Sequence, residues 1–254
     1  MRASGIAVLM VGVALGGCAV LPGVPPERPS ASVVSADSPL APFSRLEALE
    51  PGGPWAGWVF HPSKRATRYR TVEVGGERVI EAVAESSVSG LRHAVDVDPQ
   101  AWPVLEWRWR IDRMLEGADV ADRRADDSPV RVVLAFEGDV STLPVREQMF
   151  FERVRLLAGQ DMPYATLMYV WCGRRTPGDI AVNAHTSRVR KIVVESGDAG
   201  VRRWRSYRRD IVADYERAFG RRPGRLVAVA VMTDSDNTRQ RVKGWYGDIR
   251  LLPR

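Results

Sequence analysis

The sequence predicts a mainly β protein: an antiparallel β-sandwich of jelly-roll type with two inserted α-helices. Three observations predict it. Short runs rich in Val, Ile, Thr and aromatic residues recur at turn-like spacing along the chain. One run, 105–112, alternates without a break, with Leu105, Trp107, Trp109 and Ile111 on one face and Glu106, Arg108, Arg110 and Asp112 on the other. Such alternation belongs to a strand with one face on a core and the other toward solvent or a groove. Only two stretches carry helical periodicity, and glycine stops both.

In order, strands are expected at 67–74 and 78–85 around Gly75-Gly76, a tip suited to a hairpin turn with positive φ. Others follow at 91–97, after Ser89-Gly90, and at 105–112, 130–136, 165–172, 180–183, 189–195, 226–233 and 248–252, the last preceded by a strand-like run through Trp245 and Tyr246. The first helix, 143–158, is closed by Gly159 and places Phe150, Val154 and Leu157 on one stripe. The second, 203–219, spaces Trp204, Tyr207, Ile211, Tyr215 and Phe219 at helical intervals and ends at Gly220, before Pro223.

Ahead of this domain, residues 1–17 hold one charge, Arg2, and an apolar run too short and too soon followed by prolines to span a membrane as a helix. The run ends Leu15-Gly16-Gly17-Cys18, which resembles the lipobox of bacterial lipoprotein signal peptides. The resemblance implies cleavage before Cys18 and acylation of that cysteine. Ala19, which is not aspartate, implies the outer membrane of a Gram-negative bacterium, facing the periplasm or the surface. Ordinary secretion with an incidental cysteine is the other reading. Residues 18–42 carry Pro22, Pro25, Pro26, Pro29, Pro39 and Pro42 among small residues, the composition of an extended tether, so one domain is expected over 43–254. With Cys18 acylated, Cys172 is the one thiol left and has no disulfide partner; its apolar, strand-like surroundings mark it as a small buried side chain.

The formal charge is +6, nearly all of it arginine, since Lys64, Lys191 and Lys243 are the only lysines. A basic exported protein meets anionic lipid or lipopolysaccharide, so the partners expected are the membrane, through the N-terminal lipid, and a glycan or anionic envelope component, with no nucleic acid. Codon preference for arginine accounts for the same composition. No Walker-type phosphate loop, no Gly-x-Gly-x-x-Gly before a helix and no Gly-x-Ser-x-Gly elbow occurs. His61, His93 and His185 lie far apart and lack a metal-binding spacing.

Carboxylates remain. Asp126-Asp127 directly precede one expected strand, and Asp234, Asp236 and Asn237 directly follow another. If those strands are antiparallel neighbours, both acidic tips share one end of the sheet. Opposed carboxylates can serve as general acid and base in glycoside cleavage or as oxygen ligands for Ca²⁺. The spacing of Asp234 and Asp236 starts like a calcium loop, but the glycine and distal glutamate of an EF-hand are missing, so no metal is assigned. Asp and Asn also stabilise turns, and Asp127 can simply pair with Arg131. The second candidate is the charged face of 105–112, Arg108 and Arg110, which Arg131 could join, with Tyr169 and Trp171 as a stacking surface for sugar rings. The reading favoured over this is that Tyr169 and Trp171 are core and the arginines line a solvated sheet face.

The runs DDSPVRVVLAF (126–136), PYATLMYVW (163–171), RDIVADYERAFG (209–220), VAVMTDSDNT (229–238) and GWYGDI (244–249) together resemble the bacterial family catalogued as Domain of Unknown Function 3047. The resemblance covers nearly the whole expected domain and implies no activity. The tail WYGDIRLL is similar to the last strand of jelly-roll carbohydrate-binding modules, a likeness that bears on fold more than function. The function expected is a non-catalytic binding domain for a glycan or other envelope ligand, without a cofactor; a hydrolase using Asp127 with Asp234 or Asp236, and a purely structural envelope lipoprotein, are the alternatives.

Overall fold

The computed structural model describes residues 38–59, 62–159 and 161–254. The expected signal segment, Cys18, most of the tether and His61 lie outside the described residues. Thirteen strands and two α-helices follow in order among the described residues: β1 (Ala56–Trp58), β2 (Arg68–Val74), β3 (Glu77–Glu85), β4 (Val88–Val97), β5 (Val104–Ile111), β6 (Ser128–Phe136), α1 (Val145–Ala158), β7 (Ala165–Cys172), β8 (Ile180–Val182), β9 (Val189–Ser196), β10 (Arg205–Asp210), α2 (Ile211–Phe219), β11 (Leu226–Asp234), β12 (Arg241–Tyr246) and β13 (Arg250–Leu252).

They form two sheets. The seven-stranded sheet runs β1-β4-β11-β6-β7-β9-β8, and the second runs β10-β5-β12-β3-β2, with β13 also pairing β5. Between them lies the main core, built from alternate residues of both sheets: Val130, Val132, Leu134 and Phe136 from β6, Leu167, Tyr169 and Trp171 from β7, Leu105, Trp107, Trp109 and Ile111 from β5. Burial of these side chains is the dominant favourable term in holding the sheets together. The outer face of the seven-stranded sheet is also covered. Val133, Met168, Val170, Val193, Ala230 and Met232 form a second apolar cluster there with Val88 and Val120. Central strands buried on both faces explain why β6 and β7 read as nearly continuous apolar runs, broken by Arg131 and Thr166, and not as alternating ones.

The sandwich is as expected, with four differences of detail. First, β7 and β9 are parallel, because β9 inserts between β7 and the antiparallel edge strand β8. Second, residues 205–210, expected within the second helix, form β10 on the edge of β5. Tyr207 turns inward and stacks on Trp107 at 5.1 Å between ring centroids. Asp210 then accepts hydrogen bonds from the Val212 and Ala213 amides at 3.0 Å each, so the helix starts only at Ile211. Positions 207 and 211 suit a strand-to-helix switch as well as one continuous helix, which is why spacing misplaced the start. Third, Leu157 is not on the inward stripe of α1. Phe151 is the buried anchor, and at 3.6 residues per turn that places Leu157 roughly 120° away from it. Fourth, the folded body begins before residue 43. Leu40 is buried in the main core, and Ser38 Oγ accepts hydrogen bonds from the amides of Leu40 (3.2 Å) and Leu251 (3.1 Å), tying this segment to β13.

Candidate functional site

β6 and β11 are antiparallel neighbours, with Met232 opposite Arg131 and Asp234 opposite Ser128. The turn before β6 and the turn after β11 therefore meet at one end of the seven-stranded sheet, and the structure brings Asp126, Asp127, Arg131, Asp234, Asp236 and Asn237 together there. Arg131, Asp234 and Lys191 project from the outer face, since their strand neighbours of opposite parity fill the main core.

Arg131 organises the cluster. Its Nε donates to Asp234 Oδ1 at 3.0 Å and its Nη2 to Asp234 Oδ2 at 2.9 Å, a two-pronged pair that matches the guanidinium fork to the carboxylate. Nη2 also reaches Asp126, its carbonyl at 3.0 Å and its Oδ1 at 3.1 Å. Lys191 approaches from β9, donating to the Val120 carbonyl at 2.6 Å and pairing with Asp126 Oδ2. Asp127 plays a different part: its two oxygens accept the backbone amides of Asn237 (3.2 Å) and Thr238 (2.6 Å), locking the turn after β11. Asp236 pairs with Lys64 at the rim, and Asn237 Nδ2 donates to the Arg123 carbonyl at 3.3 Å.

Arg131, Lys191, Asp127 and Asp234 are all buried. Burial, reinforced by the neighbouring charges of Asp127 and Asp126, pushes the Asp234 carboxyl up to about 7, with Arg131 pulling the other way. Burial and the adjacent Arg131 hold the Lys191 ammonium below its ordinary range.

The cluster closes one end of a cavity of about 600 Å³ on the outer face of the seven-stranded sheet. Its floor is apolar, made by Val88, Met168, Val189 and Met232; Trp58 and, from α1, Phe150 and Val154 line it as well. Asn183, His185 and Asn237 add polar groups. A concave apolar surface with a few convergent polar groups is the usual form of a small-molecule site.

Several expected placements are corrected. Arg131 does not pair with Asp127 but with Asp234 and Asp126, because Asp127 is turned back onto the Asn237-Thr238 backbone. Arg108 and Arg110 do not join Arg131. They lie on the outer face of the other sheet, stacked over Trp204 (4.8 Å) and Trp245 (4.6 Å) respectively. Arg108 there pairs with Glu77 beside a separate charged groove of about 710 Å³. Tyr169 and Trp171 offer no stacking surface. Both are fully enclosed in the main core, Tyr169 donating to Asp214 at 2.8 Å and Trp171 to the Gly197 carbonyl at 3.0 Å.

Asp127, Asp234 and Asp236 present oxygens within 4.8 Å of one another. Their lone pairs are already directed at two amides, the Arg131 fork and Lys64. A cationic fork in this position opposes a metal ion, so the donor set does not fit Ca²⁺ well. Lys191, Trp58, Met168, Met232 and α1 were missed by sequence reasoning. One signal was present for Lys191: a charged residue standing between Val189 and Val193 on one face of its strand.

Residues 53–250 match a family model described as "Protein of unknown function (DUF3047)". No curated protein matches the chain. Among solved structures, the family 30 carbohydrate-binding module of a cellulosomal cellulase of Clostridium thermocellum aligns with a TM-score of 0.37 at 11% identity, covering 85% of this chain and 94% of that one. The xyloglucanase domain of NopAA, a type three effector from Sinorhizobium fredii, in complex with cellobiose, aligns at 0.40 and 9% identity, covering 86% and 98%. At these scores neither likeness carries an argument about ligand or activity.

Proposed function

This chain belongs to the DUF3047 family of proteins of unknown function, and on that premise we propose that it is a non-catalytic binding domain for a glycan or another cell-envelope ligand, held at the outer membrane through an acylated Cys18. One observation carries the binding reading: the outer face of the seven-stranded sheet keeps an apolar-floored cavity of about 600 Å³ whose charged end is already internally paired. Such a cavity binds by shape and apolar contact, with Asn183, His185 and Asn237 available to orient polar groups.

The hydrolase alternative is favoured by one observation, an Asp234 carboxyl near 7 close to Asp236. It is opposed by the burial of Asp234 and by the Arg131 fork that occupies both of its oxygens.

The test is intrinsic tryptophan fluorescence, with Trp58 as a reporter in the cavity, titrated with peptidoglycan fragments, lipopolysaccharide and common oligosaccharides. A saturable change, weakened in Asn183→Ala/His185→Ala, is expected for at least one probe. No response to any of them overturns the binding reading. Turnover of a probe sugar that disappears in Asp234→Asn would establish the hydrolase instead.

A further inference from the structure

The helix that walls the cavity also presents apolar side chains outward. Val145, Met149, Leu156 and Leu157 are 70%, 68%, 75% and 65% exposed, whereas the remaining exposed large hydrophobics among the described residues, Val59 and Val182, are near 40%. At 100° per residue, Val145, Met149 and Leu156 fall within roughly 40° of one another around the helix axis, while Leu157 stands roughly 80–120° further round. Three such side chains gathered on one face of one helix form a patch, which marks an interaction surface, unlike scattered single exposures.

The charges around the patch select its occupant. Arg146, Arg153 and Arg155 are all exposed on the same helix. Of its two carboxylates, Glu147 turns inward to Thr186 and the Ser187 amide, and Glu152 is taken up by Arg155. Arg146 and Arg153 have no carboxylate partner among the described residues, and Arg153 lies over the Phe150 ring at 5.5 Å. An apolar stripe flanked by arginine is the composition of a helix that lies in the interface of an anionic bilayer.

We propose that α1 is a membrane-docking element that lays Val145, Met149 and Leu156 into the headgroup region of an anionic phospholipid surface. Nineteen residues separate Cys18 from Ser38, and a chain rises at most about 3.5 Å per residue, so an acylated Cys18 would keep Ser38, where the folded body begins, within about 70 Å of the bilayer. Docking through α1 would set the cavity, walled by Phe150 and Val154, against the membrane surface. The inference leans on the export reading for the presence of a bilayer and not on the cavity's ligand.

The experiment uses the full chain carrying Cys18→Ala, so that no acyl group contributes. An environment-sensitive nitrobenzoxadiazole label is placed at Met149→Cys or, as a control on the other sheet, at Ser206→Cys. With vesicles of phosphatidylethanolamine and phosphatidylglycerol, the label at 149 is expected to shift to the blue and be quenched by brominated lipid, and the label at 206 is not. Adding Leu156→Glu should weaken partitioning about tenfold or more, the loss of one buried leucine side chain. No shift at 149, equal shifts at both positions, or equal response on pure phosphatidylcholine would overturn the proposal. A concentration-dependent shift without lipid would overturn it too, by assigning the face to a second copy of the chain.

Discussion

Arg131 is the residue on which the acidic tip depends, because it is a buried cation shared by Asp234 and Asp126. Removing one partner of a buried pair leaves the other uncompensated, so Arg131→Ala should destabilise the fold by about 3–5 kcal/mol, read from urea unfolding. The raised Asp234 pKa sets a second expectation. A carboxyl whose folded pKa, about 7, lies above its unfolded value binds more protons when folded. Its contribution is favourable below about pH 4 and is lost as pH rises toward 7. His93, whose pKa burial lowers, acts oppositely, losing stability as pH falls below its ordinary range. Comparing thermal melts of the parent and Asp234→Asn from pH 4.5 to 8 isolates the first effect: the parent should lose more stability than the variant as pH rises. Equal slopes would show that Asp234 stays ionised throughout. That Asp126, Asp127 and Asp234 share an end was readable from their places beside two strands. That Asp127 holds backbone while Asp126 holds two cations was not, because the two residues are identical in type and adjacent in sequence.

At the scale of elements, two features carry predictions. Asp210 ends β10 and caps α2, so Asp210→Ala should cost about 1 kcal/mol through the loss of two amide partners. Gly244 in β12 sits where the sheets touch: a Cβ there would lie 2.7 Å from Val130 Cγ1 and 3.0 Å from the Pro129 carbonyl. Gly244→Ala should therefore overpack the interface and cost about 1–3 kcal/mol in chemical denaturation. Most strands were legible because their apolar periodicity is local. β10 was not, since its neighbour in space, β5, whose Trp107 stacks on Tyr207, is remote in sequence. The outward patch on α1 escaped notice for a related reason. Its apolar residues look like any core stripe until the packing of Phe151 decides which side faces in.

Over the whole molecule, the N-terminal edge of the domain is stapled to its C-terminal strand. Leu40 fills the main core, and Ser38 bonds the Leu251 amide. Leu40→Ala should lower stability by about 2–4 kcal/mol in the same unfolding assay; a value near zero would return this segment to the tether. The two sheets then divide the labour. One carries charged pairs over tryptophans on its outer face, and the other carries the cavity.

The sequence by itself determined the β-sandwich, most strand positions, the C-terminal ends of both helices and the family, because periodicity, turn glycines and contiguous motifs are properties of neighbouring residues. Only the tertiary structure decided which face of the seven-stranded sheet is hollow, that Tyr169 and Trp171 are core, and that Arg108 and Arg131 stand on opposite sheets. All three outcomes depend on which remote strand lies alongside, and strand pairing is set by the burial of whole faces, not by any single stretch of chain.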